Sequence, residues 1–153
     1  MEFRRNARIN APLDEVWALI DDIPTVASCI PGVTGVEMKS DTTFDCVVNQ
    51  RLGSVKSSFN IAAEMTDVVE REKVTITCQG EDRGLRSSVR ANLRFGLADE
   101  GEATGVDILA EFQVTGRIAT FGQRIVAAQA ELVVMKALGN VDRLLGERRA
   151  ASA

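Results

Sequence analysis

The chain predicts an α+β fold: a seven-stranded antiparallel sheet, two short helices after the first strand, and one long C-terminal helix. Two observations predict it. Residues from Val33 to Thr115 alternate apolar and polar in successive short runs, the period-two signature of strands with one buried and one wet face. From Ile118 onward the apolar period changes to steps of three and four, through Ile118, Phe121, Ile125, Ala128, Leu132, Met135, Leu138, Val141 and Leu145. That spacing reads as the stripe of one amphipathic helix running from about Arg117 to Gly146.

Each element has its own signal. Phe3, Ala7 and Ile9 alternate with Arg4, Asn6 and Arg8 and give a first strand. Pro12 suits the first turn of a helix, and Asp14 and Glu15 favour the positive end of its dipole. Val16, Trp17, Leu19 and Ile20 supply that helix with an apolar face, and Asp21-Asp22-Ile23-Pro24 ends it. A helical turn over Thr25 to Cys29 precedes Ile30-Pro31-Gly32. The later strands place Phe44, Cys46, Val48 and Gln50 on one face of the third, and Ser57, Phe59, Ile61, Ala63 and Met65 on the same face of the fourth. Val74, Ile76 and Cys78 follow on the fifth, Ala91, Leu93 and Phe95 on the sixth, and Val106, Ile108, Ala110, Phe112 and Val114 on the seventh. Glycines at 53, 80, 84, 101 and 105 mark the breaks. Residues 1–149 read as one domain and residues 150–153 as a frayed tail.

Composition narrows the function. The 153 residues suffice for one real core, and 45% hydrophobic with 26% charged content is ordinary for a soluble protein. A net charge of -4 argues against a nucleic-acid surface. His and Tyr are both absent, which removes the commonest general acid/base and metal ligand and one usual oxyanion donor. Cys29, Cys46 and Cys78 are too far apart for a zinc motif; Cys46 and Cys78 sit on the inward strand phase as small hydrophobes. No secretory leader and no apolar stretch of membrane-spanning length is visible, so a cytoplasmic protein is expected.

Three segments carry a family resemblance: Ala11-Pro12 through Val16-Trp17, Cys29-Ile30-Pro31-Gly32-Val33, and Val114-Thr115-Gly116-Arg117-Ile118-Ala119-Thr120-Phe121-Gly122. In this order and spacing the chain resembles the carbon monoxide dehydrogenase G-subunit family, within the helix-grip (START-like, SRPBCC) superfamily. The resemblance implies a curved sheet wrapped around the C-terminal helix with a hydrophobic cavity between them. It implies service to a molybdenum hydroxylase of the carbon monoxide dehydrogenase type, with a quinone or other isoprenoid as the bound molecule and no other cofactor. Longer members carry a C-terminal membrane anchor. No transmembrane segment follows the helix here, so a carrier or assembly factor is expected, its membrane contact limited to the periphery of the inner face.

The residues themselves support a pocket. One helix cannot cover the apolar face of seven strands, and the surplus surface is loop-covered, oligomer-covered or the wall of a cavity, with a packed core the competing reading for any single Phe. Phe44, Phe59, Phe95 and Phe112 share the inward phase of different strands, Phe121, Ile125, Ala128 and Leu132 face them from the helix, and Trp17 closes one end. A bulky residue at Ala128 is therefore expected to block the cavity. Gln50, Ser57 and Gln129 are candidate hydrogen-bonding groups for a ligand, with solvent exposure of the two glutamines the competing reading. No metal site and no catalytic residue is expected. Two other functions stay open. A cyclase or dehydratase on the same fold would need Glu64 or Glu111 turned inward by a one-residue register slip. A plain interaction module would use the outward strand face, with its Arg90 and Arg94, and an interior packed solid.

Overall fold

The strand runs pair consecutively, and the computed structural model describes residues 1–152. The elements are β1 (Glu2–Ile9), α1 (Leu13–Ile20), α2 (Ile23–Ser28), β2 (Val33–Met38), β3 (Thr43–Leu52), β4 (Val55–Val69), β5 (Lys73–Asp82), β6 (Ser87–Asp99), β7 (Thr104–Thr115), a 3-10 helix (Arg117–Phe121) and α3 (Gln123–Ser152). β2 to β7 form an antiparallel meander, and β1 closes onto β7, giving the order β1-β7-β6-β5-β4-β3-β2. Register shifts interrupt the β2–β3 and β4–β5 pairs, the second beside Asp67, which has a positive φ. Such bulges bend strands and help curl a long sheet.

The helices follow from their first turns. Pro12 is the extended N-cap residue of α1, one place before the helix proper, and Asp14 and Glu15 fill the first turn. Leu13, Val16, Trp17 and Leu19 are its buried face. α2 begins two residues earlier than the predicted turn, at Ile23, with Pro24 in a position that needs no backbone donor.

At the C-terminus the expected single helix is two elements. Gly122 has φ 95 and ψ 153, outside any helical region, and it separates the 3-10 helix from α3. Just before it, Gly116 has φ 84, and a Cβ there would lie 1.9 Å from the Arg86 carbonyl oxygen. Only glycine tolerates both the conformation and the contact, so the chain turns from β7 across the β5–β6 hairpin at this point. α3 continues helically through Ser152; Ala153, the last residue of the expected tail, lies outside the described residues.

α3 lies closest to β1 and the 3-10 helix. Arg5, a charged residue on the inward phase of edge strand β1, reaches Glu131 of α3. The Asn10 amide donates to Asp142 at 2.7 Å, and Arg149 donates to the Asn10 carbonyl at 3.0 Å. The core divides in two. The larger part joins Phe3, Ile9, Val16, Leu19, Ile108, Phe112, Ile118, Val126 and Val141; the smaller joins Ile23 and Ala27 of α2 to Phe44, Cys46 and Ala63.

Candidate functional site: an apolar cavity under the C-terminal helix

Between the two cores the inner face of the sheet does not meet α3. Phe59, Ile61, Ile76, Ala91, Leu93 and Phe95 sit mid-strand, face inward and are only half-buried. Side chains in that position are fully buried when a layer packs on them. Their residual exposure marks a cavity of about 360 Å³, bounded by β3 to β7, α1, α2 and α3. Helix α3 contributes Val126, Gln129, Ala130, Val133, Val134, Ala137, Leu138 and Val141. No Asp, Glu, Lys or Arg lines it among the described residues.

The few polar groups of the lining lie together. Gln50 Nε2 donates to the Pro31 carbonyl at 2.7 Å, Gln129 Nε2 donates to Gln50 Oε1 at 2.8 Å, and Ser57 Oγ donates to the Gln50 carbonyl at 3.3 Å. Gln50 and Ser57 also border an outer groove with Pro31, Gly32, Arg51, Lys56, Asp82 and Leu85, so this cluster stands where the cavity meets the surface. The α2–β2 connection beside it is fixed to α3 by Asn140, whose Nδ2 donates to the Cys29 carbonyl at 2.8 Å. Asp82 braces the other side: its carboxylate accepts from the Ser58 amide at 2.8 Å and the Leu85 amide at 3.1 Å. In the sequence Asp82 reads as part of an ordinary turn. Its bracing role has no signal beyond the Asp-x-x-Leu spacing of that turn.

Cys46 and Cys78 face the cavity. Burial pushes both thiols up, that of Cys78 to about 11, with the neighbouring Cys46 adding to the rise and the Ala91 amide opposing it. Cys29 is buried outside the lining, and its thiol is also raised, by burial first, against the opposing pull of Arg148 and Arg143. Near neutral pH all three are protonated, which makes them poor nucleophiles.

The predicted site residues fall into two groups. Phe44, Phe59, Phe95, Phe112 and Gln129 line the cavity. Trp17 is buried in α1 but does not reach it, and Phe121 packs from the 3-10 helix against the larger core. Ile125, Ala128 and Leu132 point the other way; Ile125 is 48% and Leu132 44% exposed. The predicted stripe takes its phase from Ile118 and Phe121, but Gly122 breaks the helix after them, so their spacing carries no phase into α3. The predicted stripe also drifts. Each step of three falls about 60° short of a turn, so Leu132, Met135, Leu138 and Val141 walk from the outer face to the inner one. Val126, Ala130, Val133, Ala137 and Val141 form a straighter inward stripe. The expectation that a bulky residue at Ala128 would block the cavity is corrected accordingly.

The register leaves both carboxylates of the enzymatic alternative outside. Glu64 is exposed opposite Thr43, and Glu111 pairs with Arg94 at 3.2 Å on the outward face. No cluster of His, Cys, Asp or Glu among the described residues could hold a metal ion, and no helix there is long and apolar enough to cross a membrane.

The family model of the carbon monoxide dehydrogenase G-subunit (CoxG) matches residues 6–146. The chain belongs to the CoxG family. Solved structures share its fold at low identity. A conserved protein from Geobacillus kaustophilus superposes with a TM-score of 0.88 at 19% identity, covering 96% of each chain. The Zhui aromatase/cyclase from Streptomyces sp. R1128 gives 0.67 at 14% identity, covering 98% of this chain and 95% of that one. A START superfamily protein from Mycobacterium smegmatis gives 0.63 at 11%, covering 94% and 98%. No curated protein matches the chain. The CoxG match includes the β7–α3 joint and the cavity-lining part of α3, and the fold is that of the START-like, helix-grip superfamily.

Proposed function

We propose that this CoxG family member is a carrier for a hydrophobic, quinone-like molecule that serves a molybdenum hydroxylase of the carbon monoxide dehydrogenase type. The observation that carries the ligand class is the cavity: about 360 Å³, apolar through most of its lining, with neutral amide and hydroxyl groups at one end. That is the composition of sites for neutral, mostly apolar molecules. Each 100 Å² of ring or tail buried there contributes about 2.5 kcal/mol before the cost of ordering the ligand. The family supports the choice of partner.

The mechanism is sequestration. Strands β3 to β7 form one wall, α3 forms the opposite one, and the molecule is shielded from water until it is handed over. Titrating the protein with short-chain naphthoquinone and benzoquinone analogues, followed through the fluorescence of Trp17, tests the ligand; saturable binding at one site is expected, and a linear response would refute it. Adding the protein to a molybdenum hydroxylase assay with a water-insoluble quinone as acceptor tests the partner. Turnover should rise with the protein and fall back when Ala91→Phe replaces it. An unchanged rate would remove the carrier role while leaving the ligand site standing.

A further inference from the structure

The orientation of the two glutamines is fixed by chemistry. The Pro31 carbonyl can only accept, so the amide end of Gln50 facing it is Nε2. Gln50 Oε1 then faces Gln129, which must present its own Nε2. Among the described residues this leaves Gln129 Oε1 without a protein partner, together with the second N–H of its amide. Both belong to a half-buried side chain that borders the cavity. Ser57, buried at 4% exposure, keeps its hydroxyl lone pairs free. The polar end of an otherwise apolar cavity therefore offers an acceptor and a donor side by side, and no charge. Arg51 and Lys56 are the nearest cations along these strands. They oppose each other on the outward phase and line the outer groove rather than the cavity itself.

We propose that Gln129, held by Gln50 and seconded by Ser57, is the head-group site of the cavity, and that it selects a neutral amphipathic molecule whose polar end is a carbonyl or a hydroxyl. A carbonyl takes the Gln129 N–H, and a hydroxyl gives its proton to Gln129 Oε1. One amide thus holds the oxidised and reduced heads of the same carrier molecule with equal ease, and the tail lies in the apolar depth. A carboxylate head meets no cation inside and loses its hydration there. This inference rests on the carrier reading and adds polarity, orientation and tolerance of both oxidation levels to it.

The test uses four naphthalenes of one shape: 2-methylnaphthalene, 2-naphthol, 2-acetonaphthone and 2-naphthoate. Each is measured by displacement of N-phenyl-1-naphthylamine from the full chain at pH 7. The naphthol and the ketone should bind at least as tightly as the hydrocarbon, and the naphthoate at least tenfold more weakly than either. In Gln129→Leu the naphthol-to-hydrocarbon and ketone-to-hydrocarbon affinity ratios should both fall, by roughly two- to tenfold for one neutral hydrogen bond. In Gln129→Glu, whose carboxyl when protonated donates its one O–H to Gln50 Oε1 and keeps only acceptor capacity for a ligand, the naphthol should keep its ratio and the ketone lose it, a split that a merely structural glutamine would not produce. Ratios unchanged in both variants, or naphthoate binding as tightly as naphthol, overturn the head-group site while leaving a hydrophobic carrier. Failure of all four compounds and of the fluorescent probe to bind overturns the carrier reading and this proposal together.

Discussion

Filling part of the cavity from the protein side should stabilise the fold and weaken its binding, and Ala91→Phe is the substitution that shows it. Ala91 lies on β6 opposite Phe112 of β7 and Cys78 of β5, packs against the edge of the larger core, and is half-buried because its remaining surface faces the cavity. Empty interior space is expensive. At ~24 cal/mol per Å³ of dry void, a cavity of about 360 Å³ that opens to the surface at one end carries a penalty of at most about 9 kcal/mol relative to a filled interior. A phenyl ring that occupies a quarter of it recovers about 2 kcal/mol, or roughly 4–8 °C in Tm for a chain of this size. The sign is the decisive quantity. Forced into a packed core, the same ring costs about 1–3 kcal/mol. Urea denaturation of ligand-free protein measures the stability, and uptake of N-phenyl-1-naphthylamine measures the binding. A destabilised variant that still takes up the probe would refute the placement of the cavity at β6.

Three other sets of substitutions probe separate parts of the account. Gly116→Ala puts a Cβ 1.9 Å from a backbone oxygen at a positive φ and should cost more than about 3 kcal/mol or prevent folding, whereas Gly122→Ala, in open space, should cost only the backbone strain of about 1–3 kcal/mol; equal losses in a denaturation series would dissolve the distinction. The Cys78 thiol, raised from 9.0 to about 11, favours the folded state while it stays protonated. The unfolded chain ionises first, so this contribution is full below pH 9 and declines between pH 9 and about 11. Cys78→Ala should make that decline shallower, and an identical slope would contradict the assignment. Leu132→Gln, on the outer face of α3, should leave probe uptake intact and change stability by no more than about 0.5 kcal/mol, while Val133→Gln one position on should impair uptake; the reverse pattern would put the inward stripe of α3 on the wrong face.

The sheet is legible in the sequence because its side-chain period is two. Once Phe44, Cys46 and Gln50 are assigned inward, no freedom remains, and the register carries Phe59, Phe95 and Phe112 to the same face. A helix is less determined. α3 carries two apolar rows, Ile125-Ala128-Leu132 and Val126-Ala130-Val133-Ala137, and composition does not say which one the sheet will claim. The choice depends on where Gly122 interrupts the backbone, and a glycine by itself does not announce a φ of 95. Size alone points Trp17 to the cavity. Its actual place depends on how α1 crosses the sheet, which no local pattern encodes. The polar end is half legible: Gln50, Ser57 and Gln129 are visible as inward polar residues, but the chain from the Pro31 carbonyl through Gln50 to Gln129 needs the fold to assemble it.

The most direct test of the central claim is native mass spectrometry of the purified protein, with solvent extraction of whatever it carries. The carrier account predicts an added mass that leaves with the solvent and is identified as a quinone or another neutral isoprenoid. A clean ligand-free mass, unchanged after incubation with menaquinone and ubiquinone analogues, would contradict it.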